Sequence, residues 1–361
     1  MKTYKSLYEK IYDFENLYQS YLCARKHKRY REEVLVFTAN LEANLISIQN
    51  DLIWQTYKVG RYREHYVYEP KKRLVMALPF RDRVVQWAIF RVINPVFAKG
   101  FISDSYASIK GRGPQSAAKR VQYWLRLTAK RPEKDYYLKM DVGKFFYRVS
   151  HEVLLKLLSL KISDQKVMWL FETIINSEDT AFGLPLGYID ISTAPRLYDV
   201  GMPIGNLISQ MMANIYMNEV DQYCKRELRI RYYMRYNDDM LILSDNKQKL
   251  HEYKRLVEQL LNEKLKLELN NKTAIRPCSM GIDFCGYRVW DDHIKIRKST
   301  ALRMKRYLKY TREQYSAGKL PLEKAEGTLQ CYLGSMKHFS SYHLKCKILK
   351  DFVLVRKDPP K

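Results

Sequence analysis

No stretch of this 361-residue chain supplies the roughly 18 consecutive apolar residues that a membrane-spanning helix needs. Met1-Lys2-Thr3-Tyr4-Lys5 leads into no apolar signal core either, so a cytoplasmic protein is expected. Cysteine is sparse and unpatterned: Cys23, Cys224, Cys278, Cys285, Cys331 and Cys346 contain no C-x-x-C pair. Most fall in predicted helices or strands, which favours reduced thiols over zinc ligands or disulfides. Internal repeats and low-complexity tracts are missing. Acids are the scarce charge, with 39 Asp and Glu against 64 Lys and Arg, a net charge of +25. Such a balance favours a polyanionic partner and also aids solubility. The 29 tyrosines suit base stacking as well as core packing. The length is enough for two or three packed units.

Where acids are scarce, the places that gather them carry information. Tyr232, Tyr233 and Met234 precede Arg235-Tyr236-Asn237-Asp238-Asp239, and Met240-Leu241-Ile242-Leu243 follow. Both flanks suit β-strands, and Asn-Asp between strands marks a tight turn. Two adjacent carboxylates at a hairpin tip cost free energy unless a cation neutralises them. The plain alternative is a solvated Asp-Asp turn, but the flanks are too apolar for a surface loop. A third acid adds to the case: Tyr136-Tyr137-Leu138-Lys139-Met140-Asp141-Val142 predicts a buried strand ending in a carboxylate. A strand-end Asp and a hairpin Asp pair can hold two Mg²⁺, since hard cations want carboxylate oxygens and bind phosphates as well. Two metals can clamp the attacking and leaving oxygens of an in-line phosphoryl displacement.

This strand-end Asp and Tyr-x-Asp-Asp hairpin resemble those of reverse transcriptases. The resemblance implies an α+β, right-hand polymerase fold: fingers, a palm with an antiparallel sheet, and a helical thumb, preceded by an N-terminal helical segment. It implies RNA-directed DNA polymerase activity with Asp141, Asp238 and Asp239 as catalytic residues, and with Val142 joining those acids in the metal set. The expected cofactor is Mg²⁺ as two ions, with Mn²⁺ as substitute. Expected partners are an RNA template, a cDNA or primer strand and deoxynucleotides.

Residues 1–65 read as an N-terminal helical extension, with Leu7, Ile11, Phe14, Leu17 and Leu22, then Leu41, Leu45, Ile48 and Leu52, at roughly helical spacing. Lys26 to Arg31 form a basic connection between them. Residues 66–134 resemble the fingers, where Lys72 and Arg73 are candidates to meet the incoming triphosphate, on which charge grows in the transition state. Phe80-Arg81-Asp82-Arg83-Val84-Val85-Gln86 starts a helix and resembles a segment of group II intron and retroelement enzymes. In Ser108-Ile109-Lys110-Gly111-Arg112-Gly113, the glycines admit a phosphate close to the backbone, and Lys110 and Arg112 add charge for nucleic acid.

Residues 135–290 resemble the palm. Phe146 stands where the family places an aromatic gate against the ribose 2′-hydroxyl, with Phe145 as its core neighbour or its rival. Helices are predicted from His151 to Leu160 and from Asp164 to Ile175, the second capped by Ser163, with residues 178–200 as an irregular excursion. Gly201-Met202-Pro203-Ile204-Gly205-Asn206 predicts a turn running into a helix. Ile204, Gly205 and Gln210 are nucleotide candidates there. Many reverse transcriptases carry Pro-Gln-Gly at this turn; Pro-Ile-Gly-Asn resembles the form of diversity-generating retroelement enzymes. Ser244-Asp245 should cap a helix from about Lys247, and Leu265 to Thr273 should return as strand and turn. Lys272 matches a family lysine able to assist pyrophosphate departure as a proton donor. Ile282 to Trp290 resembles a primer-grip hairpin, with Gly286 allowing close backbone approach and Tyr287 beside it. Tyr236 and these two residues are nucleic-acid candidates. Residues 291–361 read as the helical thumb, where Arg303, Arg306 and Lys309 could follow a duplex backbone. No RNase H, endonuclease or integrase-like region is expected.

Several functions compete within this reading. The favoured one is copying of a dedicated non-coding RNA into cDNA in a diversity-generating retroelement, with a small accessory protein. An antiphage defence reverse transcriptase is the alternative. A non-catalytic RNA-binding protein and a group II intron maturase are further ones.

Overall fold

The computed structural model describes residues 3–68, 73–130, 134–176, 180–185 and 195–356. Four short helices open the chain: α1 (Tyr8–Tyr12), α2 (Phe14–Arg25), α3 (Glu32–Ala39) and α4 (Leu41–Ile53). A hairpin follows, an exposed β1 (Arg63–Val67) with a half-buried β2 (Arg73–Ala77), then α5 (Phe80–Ala98), β3 (Ser105–Tyr106) and α6 (Pro114–Thr128). Next come β4 (Tyr136–Asp141), α7 (Phe145–Arg148), α8 (His151–Ser159), α9 (Gln165–Ile175) and α10 (Leu207–Gln222). The hairpin strands β5 (Tyr233–Tyr236) and β6 (Asp239–Ser244) lead into α11 (Lys247–Leu265). The chain closes with β7 (Ala274–Pro277), β8 (Ile282–Phe284), β9 (Tyr287–Val289), β10 (Ile294–Ile296), α12 (Lys298–Ser316), α13 (Leu322–Met336) and α14 (Tyr342–Asp351). Helices segregated from largely antiparallel strands, behind a leading helical segment, give the expected α+β class of right-hand polymerases.

The chain divides into two compact units, each discontinuous in sequence. One takes residues up to 108, 140–240 and 252–273; the other takes 109–139, 241–251 and the chain from 274 onward. In the first unit, α5 is the hub. Its Val84, Val85, Ala88, Ile89, Ile93 and Phe97 are buried, and it packs against α2 and α10. Charges on the helix start are paired rather than free: Arg83 bridges Glu33 at 2.7 Å, and Arg81 bridges Asp51. In this unit β3 runs parallel to β5, with Ser105 opposite Arg235.

In the second unit, the first residues of β4 pair antiparallel with β7, from Tyr136 opposite Pro277 to Lys139 opposite Ala274. A separate sheet in the order β10-β9-β8 packs against α6. Ala117, Ala118, Val121, Trp124, Leu125 and Thr128 recur at helical spacing on α6 and are its buried residues. Helices α12 to α14 close on their own core of Met304, Leu308, Met336 and Ile348.

Three local expectations are corrected. Helix α9 is capped by Asp164, whose carboxylate accepts from the Lys166 and Val167 amides, not by Ser163. Asn246 caps α11, accepting from the Gln248 and Lys249 amides at 2.8 and 3.1 Å; a side-chain amide oxygen one residue closer to the helix outcompetes Ser244 and Asp245. Leu265 ends α11 and the strand begins only at Ala274, because the stretch between serves the site described below. No disulfide joins the six cysteines. Among the described residues no helix is long and apolar enough to cross a membrane.

Candidate active site

Asp141 is the last residue of β4, where the strand stops and Val142-Gly143-Lys144 turns into α7. The turn is held on one side by the segment after α11. Gly143 donates its amide to the Glu268 carbonyl at 2.9 Å, and Asn270 donates its own amide to the Asp141 carbonyl at 2.6 Å. The Asn270 side chain reaches further, donating from Nδ2 to Asp141 Oδ2 at 3.1 Å. Asn270 therefore orients a carboxylate oxygen directly, and its place in a polar Asn-Asn-Lys run had concealed that. Below the turn, buried Arg148 pairs with Glu268 at 2.8 Å.

Asp238 closes the β5–β6 turn and Asp239 opens β6, both at the hairpin tip, and Asn237 adopts φ 52°, a left-handed value that asparagine tolerates better than most residues. Val142 donates its amide to the Asp238 carbonyl at 3.4 Å, so the two acid-bearing turns are tied backbone to backbone. Burial first, then the charge of Asp141 and that of Asp239, push the Asp238 carboxyl up to about 6, while the Arg73 charge pulls the other way. A carboxyl in that state is crowded by like charge with too little positive charge to balance it. Among the described residues no three His, Cys, Asp or Glu side chains converge closely enough to hold an ion unaided. A divalent cation here fits if further oxygens come from a phosphate and water, as Mg²⁺ ordinarily requires. Val142 is 2% exposed and has only a backbone oxygen to offer such an ion.

The turn Pro203-Ile204-Gly205 is docked on β2. The Met76 amide donates to the Ile204 carbonyl at 3.0 Å. Gly205 has φ +111°, and an added Cβ would come 3.0 Å from Val75 Cγ1, so both conformation and space require glycine. The amide of Leu207, first residue of α10, donates to Gln86 Oε1 at 3.2 Å, so part of the helix N-terminus expected to seat a ligand is already capped from α5. Gln210 is exposed and accepts from Ser108 Oγ at 3.0 Å.

The two phenylalanines separate cleanly. Phe145 is 2% exposed and meets Tyr216 edge-on at 6.2 Å, while Phe146 is half-buried. Phe145 is thus the core member of the pair and Phe146 the more accessible ring. Arg73 is exposed at the start of β2; Lys72 lies outside the described residues. Lys272 is exposed on the turn in which its amide donates to Asn270 Oδ1. Tyr236 ends β5, half-buried.

The remaining nucleic-acid candidates belong to the second unit. Lys110 and Arg112 stand on the loop before α6, with Gly111 at φ 79°. Gly286 follows Cys285 in the β8–β9 turn, with φ of 85° and 50° respectively. Positive φ at both central residues defines a type I′ hairpin turn, and nothing lies within 4 Å of a Cβ added at Gly286. Gly286 thus suits the turn conformation and leaves the space beside its backbone open. Tyr287 is buried at 8% exposure and packs on Phe339 at 6.0 Å. On α12, Arg306 is exposed and Arg303 half-buried. Lys309 leans toward Glu313 at 3.9 Å.

Residues 65–289 match the family model described as reverse transcriptase (RNA-dependent DNA polymerase). Protein YkfC of Escherichia coli K12 is 26% identical over 287 residues, covering 70% of this chain and 72% of that protein. The group II intron-encoded protein LtrA of Lactococcus lactis is 24% identical over 179 residues, 47% of this chain and 27% of LtrA. An uncharacterized 91 kDa protein in a cob intron of Schizosaccharomyces pombe is 28% identical over 155 residues, 42% of this chain and 17% of that protein. The chain thus spans most of YkfC but about a quarter or less of the two intron proteins.

Proposed function

The chain belongs to the reverse transcriptase (RNA-dependent DNA polymerase) family and is an RNA-directed DNA polymerase, and we propose that it copies a dedicated non-coding RNA into cDNA at the Asp141, Asp238 and Asp239 site. The observation that carries the site assignment is the Asp238 carboxyl, raised to about 6 by burial and by its two acidic neighbours, with Arg73 beside it. Such a cluster is costly unless it works on a cationic partner.

In this reading the acids offer hard oxygens on two backbone-linked turns. When bound, Mg²⁺ or Mn²⁺ ions supply Lewis-acid polarisation of the attacking and leaving oxygens. Arg73, with Lys72 next to it in sequence, meets the triphosphate, on which negative charge accumulates. Phe146 crowds the sugar 2′ position, the Ile204-Gly205 turn and Gln210 bound the nucleotide, and Lys272 donates a proton toward departing pyrophosphate. Lys110, Arg112, Tyr236, Gly286, Tyr287, Arg303, Arg306 and Lys309 serve the template and product strands. The fingers, palm and thumb correspond to residues 66–134, 135–290 and 291–361, behind the extension 1–65.

The biological setting we favour is a diversity-generating retroelement with a small accessory protein, in the cytoplasm. Ile204 supports it: an aliphatic side chain at the turn offers no hydrogen bond with which to check the base pair. LtrA's name ties it to a group II intron, but the match covers 27% of its length, so only the shared polymerase region bears on this chain. The test is primer extension by the purified chain on an RNA template, with and without chelator. Deoxynucleotide incorporation that chelation stops supports the polymerase reading; RNA binding without incorporation supports a non-catalytic RNA-binding protein instead. Sequencing the co-purifying nucleic acid then decides the template. A template and variable repeat pair beside the gene supports the retroelement; their absence there favours antiphage defence.

A further inference from the structure

Arg235, which opens the Arg-Tyr-Asn-Asp-Asp run, is the largest fully buried side chain of the described residues, at 0% exposure. A guanidinium cannot shed its charge, so burying it is costly unless every donor is used. Here all five N–H donors are. Nε donates to Asp221 Oδ1 at 2.9 Å, and one terminal nitrogen, Nη2, donates to Asp221 Oδ2 at 2.7 Å and to Ser105 Oγ at 3.0 Å. The other, Nη1, donates to Asn214 Oδ1 at 3.2 Å and to the Asn237 carbonyl at 2.9 Å. Asp221 is itself fully buried and also accepts from Tyr233 Oη at 2.7 Å. Because strand side chains alternate, Tyr233 and Arg235 leave β5 on the same face, and Asp221 on α10 receives both.

Four of these five bonds tie the guanidinium to α10 and β3. The fifth grips the carbonyl of Asn237, the left-handed residue immediately before the acid pair. Asn237 has little choice of orientation once its carbonyl is pinned, and Asp238 and Asp239 leave the turn in directions set by it. We propose that Arg235 is a positioning residue: its Nη1 fastens the turn so that the two carboxylates converge with Asp141 on the polymerase metals, with Asn214 aiming that nitrogen. The inference rests on the polymerase reading and adds a cause for the acids' geometry.

A purely structural arginine would cost stability alone. A positioning arginine also sets cation affinity, and removing an outer partner of a metal ligand typically weakens binding by roughly 10–100-fold. The experiment measures Mn²⁺ binding by electron paramagnetic resonance in the full chain with a deoxynucleoside triphosphate added, read against the nucleotide alone, beside thermal midpoints. Asn214→Ala removes the acceptor that aims Nη1; Ser105→Ala removes the acceptor on the other terminal nitrogen. Asn214→Ala and Arg235→Lys are expected to weaken Mn²⁺ binding about tenfold or more, and Ser105→Ala less than about twofold. Asn214→Asp keeps an acceptor for Nη1 while trading the donor to the Ala107 carbonyl for a charged oxygen, and should bind Mn²⁺ more tightly than Asn214→Ala. In extension assays, kcat should fall in Asn214→Ala with the deoxynucleotide KM near the parent value. Equal Mn²⁺ affinity in Asn214→Ala and Ser105→Ala, both folded, would overturn the proposal even if Arg235→Lys fails to fold. A parent that binds no Mn²⁺ and extends no primer sinks the polymerase reading and this inference with it, whereas an active parent with indifferent variants sinks the inference alone.

Discussion

The acid-bearing turns and the basic helix α12 hold charge in opposite ways. Around Asp238 charge is few, crowded and half-hidden. It is braced by a buried Arg235–Asp221 pair and by the Asn270 bond to Asp141. On α12 charge is plentiful and solvated: Arg306 is exposed and the Lys309–Glu313 contact is long. Crowded charge in low dielectric responds sharply to one atom; solvated charge is screened within about 10 Å at ordinary salt. The lesson is that single substitutions should matter at the turns, and only groups of substitutions on α12.

The largest break of that contrast is Asp238→Asn. It removes one charge with almost no change of shape, and extension should fall by about a thousandfold or more, because a metal clamp supplies several kcal/mol to the transition state. Near-parental extension would show that the active site lies elsewhere. Next comes Phe146→Ala. If the half-buried ring is a gate, ribonucleotide incorporation should rise by roughly 10–100-fold relative to deoxynucleotide, with Mn²⁺ binding unchanged. Unaltered discrimination in a folded variant would return the ring to a packing role.

Ile204→Gln sharpens the comparison by adding one polar group to the turn docked on β2. Product sequencing should show substitutions reduced by about fivefold at comparable extension, as one positioned hydrogen bond can supply. Matching error spectra from two active enzymes would withdraw the fidelity argument for the retroelement. On the solvated side, Arg303, Arg306 and Lys309 changed together to Gln should flatten the log–log salt dependence of RNA affinity by about 2–3 units, and each alone by about one or less. A slope equal to the parent's would move the nucleic-acid track off this helix.

The smallest effect concerns acid and metal-free stability. Asp238 binds its proton more tightly folded than unfolded, since its carboxyl is raised to about 6 from a reference near 3.9. Between those values the folded state holds more protons, so stability falls as pH rises from about 4 through 6, by at most about 2–3 kcal/mol. Thermal midpoints in chelator should show that decline in the parent and less of it in Asp238→Asn. Parallel curves would mean that the acids are less crowded than the geometry indicates.

Much of this site was legible in the order of residues. A strand with a terminal acid, an apolar hairpin with two acids at its tip, and a glycine turn entering a helix are local patterns. Strand alternation, turn chemistry and helical spacing act over a few residues, so they can be read from neighbours alone. Short-range competition already blurred the caps, where Asp164 and Asn246 displaced Ser163 and Ser244. Gly286 was noticed for its residue type, but its left-handed turn conformation was not foreseen, because φ is set by the hairpin's twist.

What the chain order alone determined is therefore the inventory and the local placement: Asp141 at a strand end, Asp238 and Asp239 on a turn, and a family-wide chemistry. Only the tertiary structure decided what holds them. Ser105 meets Arg235 from a strand 130 positions away, Asn214 and Asp221 meet it from the preceding helix, and Asn270 reaches back 129 positions to Asp141. No pattern in the residues announces such partners, because a buried charge selects whatever acceptors the packing brings within about 3 Å, and that is settled only when the elements close around it.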